Sequence, residues 1–148
     1  MQIYQRARAA MAAAGNPTQW GDTYPDAALV QEDILANRQF VVMTNGQLEG
    51  TFAFILGSDP TYAHIEGAWL DDARPYGTIH RLAAAAESTH VADRVLTWAM
   101  EHCDSLRIDT HTANRVMQHV LDKNGFARCG TILTDDGTPR TAYQKLKG

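Results

Sequence analysis

The stretch Thr78-Ile-His-Arg-Leu-Ala-Ala84 is a short apolar run of the length of a buried strand. After it, Val91, Val95, Leu96 and Ala99 recur at helical spacing and share one face. Leu106-Arg-Ile-Asp-Thr110 then reads as a second short strand. A strand-helix-strand unit from Ile79 to Asp109 predicts a parallel pair joined by a right-handed crossover. Parallel strands are buried on both faces, so the unit predicts an α/β (mixed α+β) fold in which helices cover both sides of a mixed sheet.

Working outward, Phe40-Val-Val-Met43 and the run from Leu48 to Leu56 read as strands, with Asn45-Gly46 between them as a hairpin turn. Ile3, Tyr4, Ala7, Ala10, Met11 and Ala14 mark a first helix, stopped by Gly15, Asn16 and Pro17. Asp26 caps a second helix that carries Leu29, Val30, Ile34 and Leu35. A further strand is expected around Ala63 to Leu70. Downstream, Val116, Met117, Val120 and Leu121 form a helical face ended by Asn124-Gly125. A closing hairpin runs from Phe126 to Leu133 and Thr141 to Leu146, turning at Asp135-Asp136-Gly137. No repeat or linker interrupts the 148 residues, so one domain over 1–148 is expected.

Composition narrows the function classes. Thirteen Lys and Arg against 17 Asp and Glu give a net charge of −4, which argues against a nucleic-acid surface. No signal-peptide pattern and no membrane-length apolar run are present. Cys103 and Cys129 have no CxxC partner, which fits two free thiols and a cytoplasmic setting, with a single disulfide as the alternative. The six histidines show no HxxxH or HxH spacing, so no metal is expected.

Several stretches together resemble the GNAT superfamily of acetyl-CoA-dependent N-acetyltransferases. Ile79-His-Arg-Leu-Ala83 resembles the strand before that family's pyrophosphate loop. Arg107-Ile-Asp-Thr-His111, Asn114, Met117-Gln118 and Lys123-Asn-Gly-Phe126 resemble its later part. Asn16-Pro-Thr-Gln-Trp20 and Tyr24-Pro25 resemble an N-terminal signature of one bacterial branch, and Arg140 to Lys145 its final strand. The resemblance covers nearly the whole chain, with two departures. Relatives usually begin with a strand before the first helix, whereas this chain starts inside that helix. The expected consequence is an exposed sheet edge, open to homodimer formation by edge pairing or helix packing. The second departure is the loop itself, which falls on Glu87, Ser88, Thr89, His90, Val91 and Ala92. Glu87 stands where the family has Gln or Arg, His90 replaces its first Gly, and Ala92 alone is a permitted match.

The resemblance implies transfer of an acetyl group from acetyl-CoA to a primary amine of a small molecule or an amino terminus, without a metal. It places backbone donors for the thioester and pantetheine on Leu82, Ala83 and Ala84. Pyrophosphate would sit at the following helix start, whose free N–H groups favour anions. Asn114 reads as a pantetheine contact or as a simple cap. His80 reads as a base or as a packed core histidine, and Glu66 as a base or as a solvated edge-strand carboxylate. Asp109 and His111 read as a catalytic pair or as turn and surface residues. The Tyr that relatives carry on the last helix falls on Leu121, which leaves Tyr143 as a substitute acid if the final strand faces the cleft. Trp20, Tyr24 and Trp69 read as walls of an acceptor pocket or as core anchors. Two other classes stay open: a weakened descendant that binds acyl-CoA or a metabolite as a sensor, and a structural subunit.

Overall fold

The computed structural model describes residues 1–86 and 90–148. Helices α1 (Gln2–Ala13) and α2 (Ala27–Leu35) precede the hairpin β1 (Gln39–Thr44) and β2 (Gln47–Leu56). A 3-10 turn at Pro60–Tyr62 leads to the two-residue strand β3 (Glu66–Gly67) and then to β4 (Gly77–Ala84). Helix α3 (Val91–His102), β5 (Ser105–Thr110), α4 (Arg115–Lys123) and the hairpin β6 (Ala127–Leu133) and β7 (Pro139–Leu146) complete the order. The seven strands form one sheet in the order β1-β2-β4-β5-β7-β6-β3, so β1 and β3 are its edges.

The strand-helix-strand unit is parallel, as its sequence predicts, but β4 and β5 pair only at Gly77 with Leu106 and Thr78 with Arg107. Beyond those pairs β4 stays with β2 and β5 stays with β7, which it matches from Ser105 to Thr110. The sheet therefore opens between its two central strands. A β-bulge accompanies the opening: Thr51 faces Ala83 and Ala53 faces His80, so Arg81 and Leu82 together stand opposite Phe52. Arg81 adopts φ 52°, a left-handed conformation uncommon for a residue with a Cβ. Such bulges bend and twist a strand, and this one lies where β4 leaves β5.

The main core lies under α3 and α4. It includes Phe52, Phe54, Ile79, Val95, Leu96, Ala99, Leu106 and Leu121, with Trp98 packed among Phe40, Phe52 and Phe54. Gly50 lets the start of α3 approach β2, since a Cβ there would lie 2.6 Å from the Val91 side chain. On the opposite side, Tyr4 and Ala7 of α1 pack on Ala83. A third cluster joins Tyr62, Trp69, Ile132 and Ala142. Arg107, 1% exposed, lies 4.0 Å from the Trp69 ring centre and 3.9 Å from that of Tyr76. Its guanidinium also donates to Asp72 Oδ1 at 3.0 Å. The expected strand around Ala63 to Leu70 shrinks to β3, which meets β6 only at Glu66 with Thr131 and Gly67 with Gly130, the latter two both at positive φ. Cys103 and Cys129 are free. No helix among the described residues is long and apolar enough to cross a membrane.

Candidate active site

The opening between β4 and β5 forms a cleft of about 650 Å³. Its floor is Ile79 to Leu82 and Ile108 to Thr110. One wall is the α1–α2 connection, with Gln19, Trp20 and Tyr24, and another is the β6–β7 turn, with Thr134, Asp135 and Asp136. Asn114 and Met117 of α4 and Asp59 and Thr61 of the 3-10 turn close the remainder.

His80 points into this cleft. Its Nε2 lies 2.8 Å from Asp59 Oδ2, and the two side chains are 23% and 17% exposed. Asp59 caps the 3-10 turn, its Oδ1 accepting from Thr61 N at 2.9 Å and Thr61 Oγ1 at 2.7 Å. Burial by itself would raise the Asp59 carboxyl; the His80 hydrogen bond and those from Thr61 outweigh it and hold it at about 2. With a carboxylate accepting from Nε2–H, the neutral imidazole presents Nδ1 as an acceptor. No hydrogen bond to Nδ1 exists among the described residues. Beside this pair the hydroxyl of Tyr62 donates to Asp109 Oδ1 at 2.5 Å. Burial, followed by the charge of Asp109, keeps the Tyr62 phenol well above its ordinary value, so it remains a donor.

The cleft brings together part of the residue set that the sequence suggests. His80, Leu82, Asn114, Trp20 and Tyr24 line it. Asn114 also caps α4: its Oδ1 accepts from Met117 N at 3.1 Å, while its Nδ2 donates to Gln19 Oε1 at 3.1 Å. Ala83 is buried against α1, and Ala84 packs on the main core with its carbonyl accepting from Arg6. Trp69 is buried against Tyr62 and Arg107 and does not line the cleft. Tyr143 is fully buried in the main core, and its hydroxyl accepts from Arg128 at 3.3 Å. The final strand thus buries Tyr143 in the core, and it does not line the cleft. Glu66 is exposed on β3 and faces a separate hollow with Thr61, His64 and Asp135. Asp109 and His111 do not pair: Asp109 engages Tyr62, and His111 Nδ1 accepts from Ala113 N at 3.0 Å.

At the loop, Glu87, Ser88 and Thr89 lie outside the described residues. His90 is the N-cap of α3 with φ 53°, a conformation that suits Gly, and its side chain is 77% exposed. Val91 is buried and Ala92 half-buried in the first turn. Sequence reading misses Asp59 and Arg81, which line the cleft, and Tyr62, which bonds the cleft residue Asp109. Asp59-Pro-Thr does carry a cap signal, but nothing local ties it to His80.

No family model matches the sequence, and no curated protein matches it. Solved structures do match. The chain is 35% identical to a GNAT-family acetyltransferase from Streptococcus agalactiae, with a TM-score of 0.90 over 100% of this chain and 88% of that one. It is 18% identical to a ribosomal-protein-alanine N-acetyltransferase from Brucella melitensis, with a TM-score of 0.63 over 98% of this chain and 90% of that one. It is also 18% identical to an aminoglycoside acetyltransferase crystallised with coenzyme A and kanamycin, with a TM-score of 0.60 over 96% of this chain and 90% of that one. The last two share its fold alone, whereas the first shares its sequence over the full chain. With the splayed central strands and the bulge at their parting, that similarity shows that the chain belongs to the GNAT family of acetyltransferases.

Proposed function

We propose that the protein transfers an acetyl group from acetyl-CoA to a primary amine, of a small molecule or an amino terminus, in the cleft at the Arg81–Leu82 bulge. The observation that carries this reading is the bulge itself. Arg81 and Leu82 have no ladder partner on β2 or β5, and both line the cleft where those central strands part. A backbone N–H freed in this way is a fixed donor for the oxygen of a thioester carbonyl as it gains charge, and it needs no reorganisation during reaction.

The amine has to be neutral to attack. His80 Nδ1 takes its proton, directly or through one water, while Asp59 holds the ring tautomer and stabilises the imidazolium that forms. The amine lone pair adds to the thioester carbon, the carbon–sulfur bond breaks, and a proton from the site or solvent neutralises the thiolate. Asp59, Asp109, Asp135 and Asp136 outnumber Arg81 and Arg140 along the cleft, a balance that favours a cationic amine. Trp20 and Tyr24, with ring centres 6.4 Å apart, wall the acceptor side. The CoA pyrophosphate would meet the start of α3 near His90.

The test is thiol release from acetyl-CoA with a panel of amines, paired with calorimetry of CoA binding. Amine-dependent release that falls about a hundredfold or more in His80→Ala is the expected result, a hundredfold being about the lower end of what a general base supplies. Binding without release would point to an acyl-CoA sensor, and neither to a structural subunit.

A further inference from the structure

The peptide between Arg81 and Leu82 is held from behind by a buried chain of hydrogen bonds. Tyr4, 1% exposed on α1, donates its hydroxyl hydrogen to the Arg81 carbonyl at 2.9 Å. That hydroxyl in turn accepts from Gln39 Nε2 at 3.0 Å, and Gln39 is braced by Thr51 Oγ1 at 2.7 Å. The Arg81 side chain is tied as well. Its guanidinium forms an ion pair with Asp33 of α2, itself 1% exposed, and donates to Tyr24 OH at 3.1 Å. A residue at φ 52° is thus gripped at both its carbonyl and its side chain, which is how a sparsely populated backbone conformation persists.

The Arg81–Leu82 peptide is trans. Its N–H and C=O therefore point in opposite directions, and the Leu82 N–H is directed away from Tyr4. Resonance couples the two ends: a hydrogen bond accepted by the carbonyl withdraws electron density from the nitrogen and strengthens the N–H as a donor. Chains of hydrogen bonds reinforce one another in this way inside a protein. We propose that Tyr4 is a positioning residue for acetyl transfer, fixing and polarising the Arg81–Leu82 peptide so that the Leu82 N–H receives the developing oxyanion. Burial lifts the Tyr4 phenol above its ordinary value despite the bond from Gln39, so it stays protonated and keeps this donor role across the neutral range. The proposal rests on the acetyl-transfer reading above, and it assigns to α1, a helix that offers the cleft only Met11, a part in the chemistry.

The variant is Tyr4→Phe, which keeps the ring in its packing with Trp20, whose centre lies 5.7 Å away. Three readouts are taken: kcat, the KM for acetyl-CoA, and the amide proton resonance of Leu82 in ¹⁵N-labelled protein. Loss of a direct oxyanion donor costs 10²- to 10³-fold in kcat, so loss of the group behind it is expected to cost ~10-fold. KM for acetyl-CoA should stay within about twofold, and the Leu82 amide proton should move upfield. Gln39→Met is expected to shift both readouts the same way by less, and it serves if Tyr4→Phe folds poorly. An unchanged kcat, or a fall in kcat with an unmoved Leu82 amide, overturns the proposal. If the unmodified protein releases no thiol with any amine, the acetyl-transfer reading fails separately. The clamp is then decided by the Leu82 amide on titration with acetyl-CoA: a response smaller in Tyr4→Phe than in the parent supports it, and equal responses overturn it.

Discussion

Asp59→Asn separates the charge of the His80–Asp59 pair from its shape. Asn caps a turn about as well as Asp, so the bonds from Thr61 N and Thr61 Oγ1 to the side-chain oxygen survive. What disappears is the carboxylate facing His80 Nε2 at 2.8 Å. Burial would push this carboxyl up, but the His80 and Thr61 hydrogen bonds bring it from an ordinary 3.8 to about 2. Nearly two pH units at 1.36 kcal/mol each amount to ~2 kcal/mol of native stability. Because the folded value is depressed, that stability is present above the unfolded carboxyl's pKa of about 4 and is lost as pH falls towards 2. Urea unfolding of parent and variant at several pH values isolates it, since all other carboxylates are common to both. The parent's advantage should shrink by ~2 kcal/mol between about pH 5 and pH 2. At neutral pH the variant's kcat/KM should fall ~10- to 100-fold, part of what a general base supplies, because the His80 tautomer is no longer held. Stability curves that run parallel across this range, with kcat/KM unchanged, would refute the pairing as described.

Trp20→Ala or Tyr24→Ala should raise the acceptor KM and leave CoA affinity in place, since both line the cleft. Trp69→Ala should instead lower stability by ~3 kcal/mol or more in urea unfolding, with little change in either KM, because Trp69 is buried on Arg107 and does not line the cleft. Tyr143→Phe should lose ~1 kcal/mol of stability with its bond from Arg128 and leave kcat untouched. The double variant Glu87→Arg, His90→Gly should bind acetyl-CoA tighter at pH 8 by on the order of 1 kcal/mol in calorimetry. It removes the negative charge of Glu87 and puts Gly where His90 adopts φ 53°.

The parts of the fold that the sequence discloses are those governed by local chemistry. Asn45 and Gly46 take φ 50° and 78°, the positive values that a tight hairpin turn demands. The α3 stripe is legible because Val91, Val95, Leu96 and Ala99 all meet the same core. Tyr143 escapes such reading because Arg140 to Gln144 are all buried, so alternation along β7 does not say which side faces the cleft. Trp69 escapes because an aromatic type carries no direction, and only the fold shows that its partner is the buried Arg107. The His80–Asp59 pair spans 21 positions and joins β4 to the cap of the 3-10 turn, a contact that only the folded chain makes. The bulge is the least legible feature of all: nothing in Arg81-Leu82 asks for a left-handed residue, and the contacts that hold it there come from α1 and α2.

The Arg81–Leu82 bulge is the proposed receiver of the thioester. A crystal structure with acetyl-CoA, or with an analogue whose sulfur is replaced by methylene, tests it most directly. The acetyl carbonyl oxygen should lie within about 3.1 Å of Leu82 N, with the reacting carbon on the His80 side of the cleft. A ligand whose carbonyl lies elsewhere, with Leu82 N bonded to protein or solvent, would contradict the account.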